Sequence, residues 1–175
     1  MLTASETLAD GVAALKTLLG RFLADFADED RTRTADHLPN HVIWTLGHAA
    51  LYLNRAAERL DGQPLPASDF VTGDGHGGNP QQYDTEAIAF DSKPGVAASA
   101  YPTLARGRAI FEAACDRLSA AVRAAKPKQL QQNVPWVGTE IPLYALVLRL
   151  VFHCGFHAGQ IADLRRALGL GRVIR

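Results

Sequence analysis

Two histidines four positions apart near the C-terminus are the residues of this sequence best placed to do chemistry. His153 and His157 lie within residues 143–168, where the apolar spacing predicts a helix. Residues four apart share a helical face, so both rings can bind one metal ion if a neighbouring helix supplies a third ligand. A buried imidazole without partners costs about 1 to 3 kcal/mol, so both rings need partners. The alternative to a metal ion is therefore a pair of core histidines that make hydrogen bonds.

A third histidine occupies the inner face of the second predicted helix. This helix is predicted from His41 to Leu60, with His48 between Trp44 and Tyr52 on its inner face. Three inward imidazoles match the ligand count of many catalytic metal sites, which keep positions open for water or substrate. Imidazole suits nickel, zinc and iron alike, so we expect one divalent ion without specifying which. The two aromatic rings either form the apolar wall of a pocket or pack in the core.

Cys154 and the other histidines have less direct roles. Cys154 lies about 100° from His153 around the helix, so it either lines the edge of the pocket or packs as a small buried hydrophobic residue. His41 lies two turns before the third proposed ligand, which is too far to share the ion easily. His37 and His76 fall in predicted loops, where we expect them to be exposed.

Four predicted helices position these residues. Their apolar positions recur at the three- and four-residue spacing of a bundle seam. The predicted ranges are 3–27, 41–60, 102–125 and a last helix from about Ile141 or Pro142 to residue 168. Residues 63–98 are rich in Gly, Pro, Asp and Gln and predict a long irregular connection. Such a crossover can span the bundle from end to end, which would leave helices two and three parallel.

The crossover contains a glycine-rich run, residues 73–80, which invites comparison with a phosphate-binding loop. It lacks the preceding strand, the following lysine and the spacing of a nucleotide-binding motif. We therefore interpret the run as part of the connection.

Charge and composition limit the classes of function. Lys and Arg number 18 and Asp and Glu number 18, so nucleic acid or an anionic membrane is not the expected main partner. A chain of 175 residues suits one domain, which we expect to cover residues 1–175.

Cysteine usage and hydropathy indicate the compartment. Two cysteines do not make a disulfide framework, and the chain opens without a basic segment followed by an apolar run. The longest apolar stretch, residues 141–158, is interrupted by Arg149 and two histidines, so no membrane span is expected. We expect a soluble protein of the reducing cytoplasm.

The first half of the last predicted helix is apolar nearly all round. Leu148, Phe152 and Phe156 lie off the seam, whereas the second half carries charged residues. An apolar surface of this size is normally covered, so either the crossover or a second subunit should pack over it.

Two segments resemble the DinB-like metal-binding four-helix bundle family. Residues 39–48 read PNHVIWTLGH and are similar to the family segment that ends in its first ligand, and residues 153–168 are similar to its terminal helix. The resemblance covers most of the chain. It implies an all-α, up-down-down-up four-helix bundle with a long crossover between helices 2 and 3. It also implies a homodimer and a divalent ion held by His48, His153 and His157.

The same resemblance implies an activity. Some relatives are transferases or isomerases that use a low-molecular-weight thiol, some are described as hydrolases, and many have no assigned activity. The expected function is metal-dependent transfer of a small-molecule thiol to a small electrophile. The alternatives are a non-catalytic, metal-stabilised bundle and a metal-dependent hydrolase. Many members have Glu directly after the first histidine of the pair, where this chain has Cys154, so that candidate general base is missing.

Overall fold

Four long helices make up most of the computed structural model, which describes residues 2–94 and 97–173. They are α1 (Ala4–Phe22), α2 (Val42–Asp61), α3 (Leu104–Ala124) and α5 (Leu143–Ala167), and the one-turn helix α4 (Pro127–Leu130) precedes α5. Their buried apolar side chains form a continuous cluster. The prediction of a predominantly helical fold is confirmed.

The connections contain short strands that the sequence analysis did not predict. In the crossover, β1 (Phe70–Val71) pairs in parallel with β2 (Tyr83–Asp84). Before α5, β3 (Asn133–Trp136) pairs antiparallel with β4 (Thr139–Pro142), so the last helix begins at Leu143 rather than at Ile141 or Pro142. Both residues of the intervening turn, Val137 and Gly138, have positive φ, as a tight hairpin turn requires. Strands of two to four residues are too short to show an alternating pattern.

Side-chain caps set the starts of the long helices. A capping box begins α1, with the Thr3 hydroxyl accepting from the Glu6 amide and the Glu6 carboxylate accepting from the Thr3 amide. At α2 the cap is His41, whose Nδ1 accepts from the Trp44 amide. Thr103 caps α3 in the same way. Each of these caps satisfies a backbone N–H that has no partner within the helix.

The long helices α2 and α3 run in the same direction. The start of α2 meets the start of α3 at Ile43 and Gly107, where a Cβ on the glycine would overlap the isoleucine side chain. Further along both helices, Arg117 Nη1 donates to Asn54 Oδ1 at 2.9 Å. Helices α1 and α2 each pack against both α3 and α5. The long crossover makes this parallel neighbour arrangement possible because it returns the chain to the end where α2 began.

Tyr83 fixes the crossover to α2 and α3. Its ring is fully buried, and its hydroxyl donates to the main-chain oxygen of Ile43 at 3.0 Å. Glycines at 47 and 107 leave the space that the ring occupies, because a Cβ at either position would lie within 2.5 Å of a Tyr83 atom. The crossover is therefore packed into the bundle rather than lying loosely over it.

The glycine-rich run folds around a carboxylate of the chain itself. Asp84 is buried, and its Oδ2 accepts from the amides of Gly75 and Gly77 at 3.1 and 2.8 Å. Its Oδ1 accepts from the Glu86 amide at 2.8 Å. These amides form the kind of concave donor group that binds anions, but an internal carboxylate occupies it. The interpretation of the run as a connection agrees with this arrangement.

The outer face of α5 remains uncovered by the described part of the crossover. Tyr144, Leu148, Phe152 and Phe156 recur every four residues and are between 42% and 78% exposed. By length and composition alone α5 could cross a membrane, a test that the core helix of a soluble protein also passes. Its opposite face packs inside the bundle through residues such as Leu150 and Leu164. The sequence left two possible covers for this surface, the crossover and a second subunit. The described part of the crossover does not cover it.

Candidate metal centre

Three histidines from two antiparallel helices meet inside the bundle. His48 of α2 faces His153 and His157 of α5, with His153 Nε2 lying 3.2 Å from His48 Nε2 and 3.0 Å from His157 Nε2. The candidate ligand atoms of all three lie within 4.8 Å of one another. The spacing argument placed these three rings on inward faces, and the structure brings them together.

Hydrogen bonds fix the orientation of two of the three rings. His48 Nδ1 donates to the main-chain oxygen of Ile88 in the crossover at 2.8 Å. His157 Nδ1 donates to Gln160 Oε1, also at 2.8 Å, and Asn40 Nδ2 donates to the same oxygen at 3.4 Å. Because both partners are acceptors, each ring carries its proton on Nδ1 and presents a lone pair at Nε2. This is the arrangement that orients metal-binding histidines in proteins.

His153 completes the donor set. Its Nε2 lies between the other two, while its buried Nδ1 has no hydrogen-bond partner among the described residues. The Nε2 lone pairs of two neutral rings thus meet the Nε2 atom of His153, and the three nitrogens share at most one proton. A cation offsets this convergence of electron-rich atoms, so the three imidazoles fit a divalent ion of the nickel, zinc and iron class. The cluster could hold such an ion.

Burial keeps the three imidazoles neutral. It lowers the pKa of His48 and of His153 to about 4, and it also lowers the pKa of His157, against a smaller opposing effect of the Gln160 hydrogen bond. A neutral ring is the form that binds a metal, because the ligand nitrogen must be unprotonated. The cluster is therefore ready to bind a cation at neutral pH without first releasing protons.

A cavity of about 470 Å³ opens beside His48 and His153. Tyr52 forms part of the cavity wall, which is the first of the two roles that the sequence left open for its ring. Its hydroxyl accepts from the Phe90 amide at 2.9 Å, which ties α2 to the crossover. Trp136 of the hairpin also lines the cavity. Most of the wall is apolar, and among the residues that the structure describes it includes no acid.

Trp44 lies behind the cluster rather than on the cavity. Its buried indole stacks on the His48 ring, with centroids 4.6 Å apart and planes 15° from parallel. The indole Nε1 donates to the main-chain oxygen of Ala87 at 3.0 Å. Trp44 therefore supports the His48 ring and packs in the core, which is the second of the two roles that the sequence left open for it.

Cys154 is also removed from the cavity. Its side chain is 1% exposed and faces the core, where burial raises its pKa to about 12. Burial likewise raises the pKa of Cys115, which lies near enough for the two thiols to influence each other. Both are free cysteines. A protonated, buried thiol has neither the access nor the charge of a nucleophile, so Cys154 packs as a small hydrophobic residue.

The other histidines stay outside the cluster. His41 is buried as the cap of α2, with its ring edge-on to Tyr101 at a centroid distance of 4.9 Å, and burial lowers its pKa to about 4. His37 and His76 are exposed. These positions agree with the roles expected from sequence.

Sequence reasoning missed several residues that shape the site. Gln160 follows His157 by three residues, and this helical spacing was the signal that its side chain could orient that ring. The Ile88 carbonyl gave no signal, because any residue type supplies this group. Trp136 lay in a predicted loop, and its approach to the cavity depends on the unpredicted hairpin.

A family model supports the resemblance noted in the sequence. The model described as DinB superfamily matches residues 9–161, which include all three clustered histidines. No curated protein and no solved structure matches the chain. Because the match extends over most of the chain, the protein belongs to the DinB superfamily.

Proposed function

We propose that this protein is a metal-dependent transferase that joins a low-molecular-weight thiol to a small electrophile. The observation that carries the proposal is the convergence of three imidazoles, two of which, His48 and His153, line a mostly apolar cavity. His48, His153 and His157 would hold one divalent nickel, zinc or iron ion. The proposed scaffold is a single up-down-down-up four-helix bundle spanning residues 1–175, soluble in the reducing cytoplasm.

The ion and the chain would contribute differently. When bound, a divalent ion lowers the pKa of a coordinating thiol, so a nucleophile is available at neutral pH. The chain's own residues orient the ligand rings through Ile88 and Gln160 and form a mostly apolar wall beside them. The Tyr52 and Trp136 rings offer apolar surface against which a small electrophile can lie.

The cavity lining favours thiol transfer over hydrolysis. A metal-dependent hydrolase uses a general base to activate water, most often a carboxylate or a histidine. Apart from His48 and His153 themselves, the lining within the described part of the chain includes no acid and no further histidine. A thiol needs no such base once its pKa is lowered.

A purely structural metal is the second candidate. A closed structural zinc site normally recruits four protein ligands, whereas the cluster among the described residues contains three. The adjoining cavity gives a small molecule access to the same atoms. These two features favour a site that exchanges ligands.

We also propose a two-fold homodimer. The uncovered stripe of α5, from Tyr144 to Phe156, is the surface that a second copy would bury.

The decisive assay compares thiol transfer with and without the metal site. The metal-loaded protein is incubated with glutathione, mycothiol or bacillithiol and a panel of electrophiles, beside the metal-stripped protein and His153→Ala. His37→Ala is the matched control, because that histidine is exposed and does not belong to the cluster. We expect a thiol-dependent rate in the wild type and His37→Ala only.

One outcome would reject the transferase. If every pair reacts at the uncatalysed rate while His153→Ala loses substantial thermal stability, the ion serves folding and the structural alternative is preferred.

A further inference from the structure

Two arginines extend the inner face of α2 beyond the metal cluster. Arg55 and Arg59 follow His48 two and three turns later and line the same cavity. Arg55 is half-buried, and its guanidinium carbon lies 5.4 Å from the centroid of the Tyr52 ring. Its positive charge also contributes to lowering the pKa of His48. The cavity therefore has a ligand-binding cluster at one end and cationic groups towards the other.

These two guanidinium groups have no anionic partner among residues 2–94 and 97–173. Neither makes an ion pair or a side-chain hydrogen bond there, whereas Arg106 pairs with Asp69 and Arg117 pairs with Asp61. The described residues that line the cavity include no carboxylate that could neutralise them. Two guanidinium groups without anionic partners, in a mostly apolar and partly enclosed cavity, create a positive potential that favours an anion.

We propose that this cavity selects a thiol that carries a carboxylate. The carboxylate would bind Arg55 and Arg59, and the sulfur end would lie towards His48 and His153. The guanidinium fork matches the two oxygens of a carboxylate, which makes it the preferred group for binding one. The placement of the sulfur rests on the proposed transferase function, whereas the binding of the carboxylate rests on the two arginines alone.

The spacing sets the size of the ligand. The backbone positions of His48 and Arg55 are about 10 Å apart along the helix axis, at 1.5 Å per residue. The long arginine side chain can shorten or lengthen the distance between the two functional groups. A thiol peptide of glutathione's length can connect such points, and the cavity of about 470 Å³ lies within the ordinary range for small-molecule sites. Between the two ends, the Tyr52 and Trp136 rings contact the middle of the ligand.

The two tryptophans of the chain give a direct binding signal. Trp44 stacks on His48 and Trp136 lines the cavity, so intrinsic fluorescence reports on this site. The metal-loaded protein is titrated with glutathione, with glutathione diethyl ester, which lacks the carboxylates, and with S-methylglutathione, which lacks the free thiol. The variants are Arg55→Gln, Arg59→Gln and Arg55→Lys. Arg21→Gln, at an exposed position on α1 outside the cavity lining, is the control.

The wild type and Arg21→Gln should bind glutathione at least about tenfold more tightly than the diethyl ester, the size expected for charge-assisted hydrogen bonds. The preference should fall at least about fivefold in Arg55→Gln and Arg59→Gln and be intermediate in Arg55→Lys. Arg59 is exposed, so its variant keeps the test valid if Arg55→Gln folds poorly.

The inference and the function fail differently. Equal affinity for acid and ester, no binding of either, or an unchanged preference in both glutamine variants overturns the carboxylate site. Thiol transfer could still be observed in that case. Arginine-dependent binding of S-methylglutathione without any thiol transfer keeps the site and rejects the transferase.

Discussion

At the scale of single residues, the site depends on hydrogen bonds that leave the ring nitrogens facing one another. His48 and His157 donate from Nδ1 to oxygens of Ile88 and Gln160, and both distances are 2.8 Å. Metal affinity should therefore depend on residues that never touch the ion.

Replacing Gln160 by Ala tests this dependence. Without the amide oxygen, the His157 ring loses the partner that fixes its tautomer, and metal affinity should fall about 10- to 100-fold. Competition with a coloured chelator measures the change. Asn40→Ala is the control, since Asn40 only donates to the same oxygen at 3.4 Å and should have a smaller effect. Equal affinity in Gln160→Ala and wild type would show that the ring needs no such support.

His41 gives a pH-dependent contribution to stability. Its pKa is about 4 when folded against 6.5 for the free side chain, so between these values the unfolded chain binds a proton that the folded one does not. The stability it provides is complete above pH 6.5 and is lost as the pH falls towards 4. At pH 5 the loss should be about 2 kcal/mol.

The variant His41→Asn isolates this effect, because asparagine can cap the helix but does not titrate. Urea unfolding at pH 7 and pH 5 should show a smaller loss of stability in the variant than in the wild type. The other buried histidines titrate in both proteins and cancel in the comparison. Equal losses in the two proteins would contradict the assignment.

Residue spacing predicted the ligand cluster but not the surroundings of each ring. A helical angle shows that His153 and His157 point the same way, and the face of His48 followed from the same argument. The position of Cys154 did not follow, because an angle of about 100° does not say whether a cavity or another helix lies on that side. That answer requires the packing of α5 against its neighbours.

At the scale of elements, the crossover is part of the candidate metal site. It supplies the Ile88 oxygen to His48, and Tyr83 holds it in place against Gly47. The sequence showed its length and its lack of a helical period, which predicted a connection. The pairing of two-residue strands and the burial of Tyr83 depend on contacts between distant parts of the chain and leave no local pattern.

Gly47→Ala tests the contact between α2 and the crossover. Its Cβ would lie 2.5 Å from the Tyr83 ring, so the buried ring must shift, and stability should fall by about 1 to 3 kcal/mol despite the better helix propensity of alanine. Gly11→Ala is the matched control, because no atom of residues 2–94 and 97–173 that could obstruct its Cβ lies within 4 Å of that position. It should gain up to about 1 kcal/mol. Urea unfolding measures both, and a stabilised Gly47→Ala would disprove the close contact.

At the scale of the whole molecule, the exposed stripe on α5 distinguishes an isolated bundle from an assembly. The sequence predicted that an apolar surface needed a cover but could not choose between the crossover and a second copy. The structure leaves Leu148, Phe152 and Phe156 exposed, which favours the second copy.

Light scattering tests the proposed dimer. The wild type should be a dimer at micromolar concentration, and Leu148→Glu should be a monomer, because a charge in an apolar interface is left without a partner. Leu2→Glu is the control, since Leu2 is also exposed but lies outside the stripe. A monomeric wild type would refute the dimer.

The central claim is that His48, His153 and His157 together hold one divalent ion. Elemental analysis of the purified wild type and of the three single alanine variants, with His37→Ala as the control, tests it most directly. We predict about one first-row divalent ion per chain in the wild type and in His37→Ala, and a loss of most of it in each of the other three. Unchanged metal content in those three variants would contradict the account.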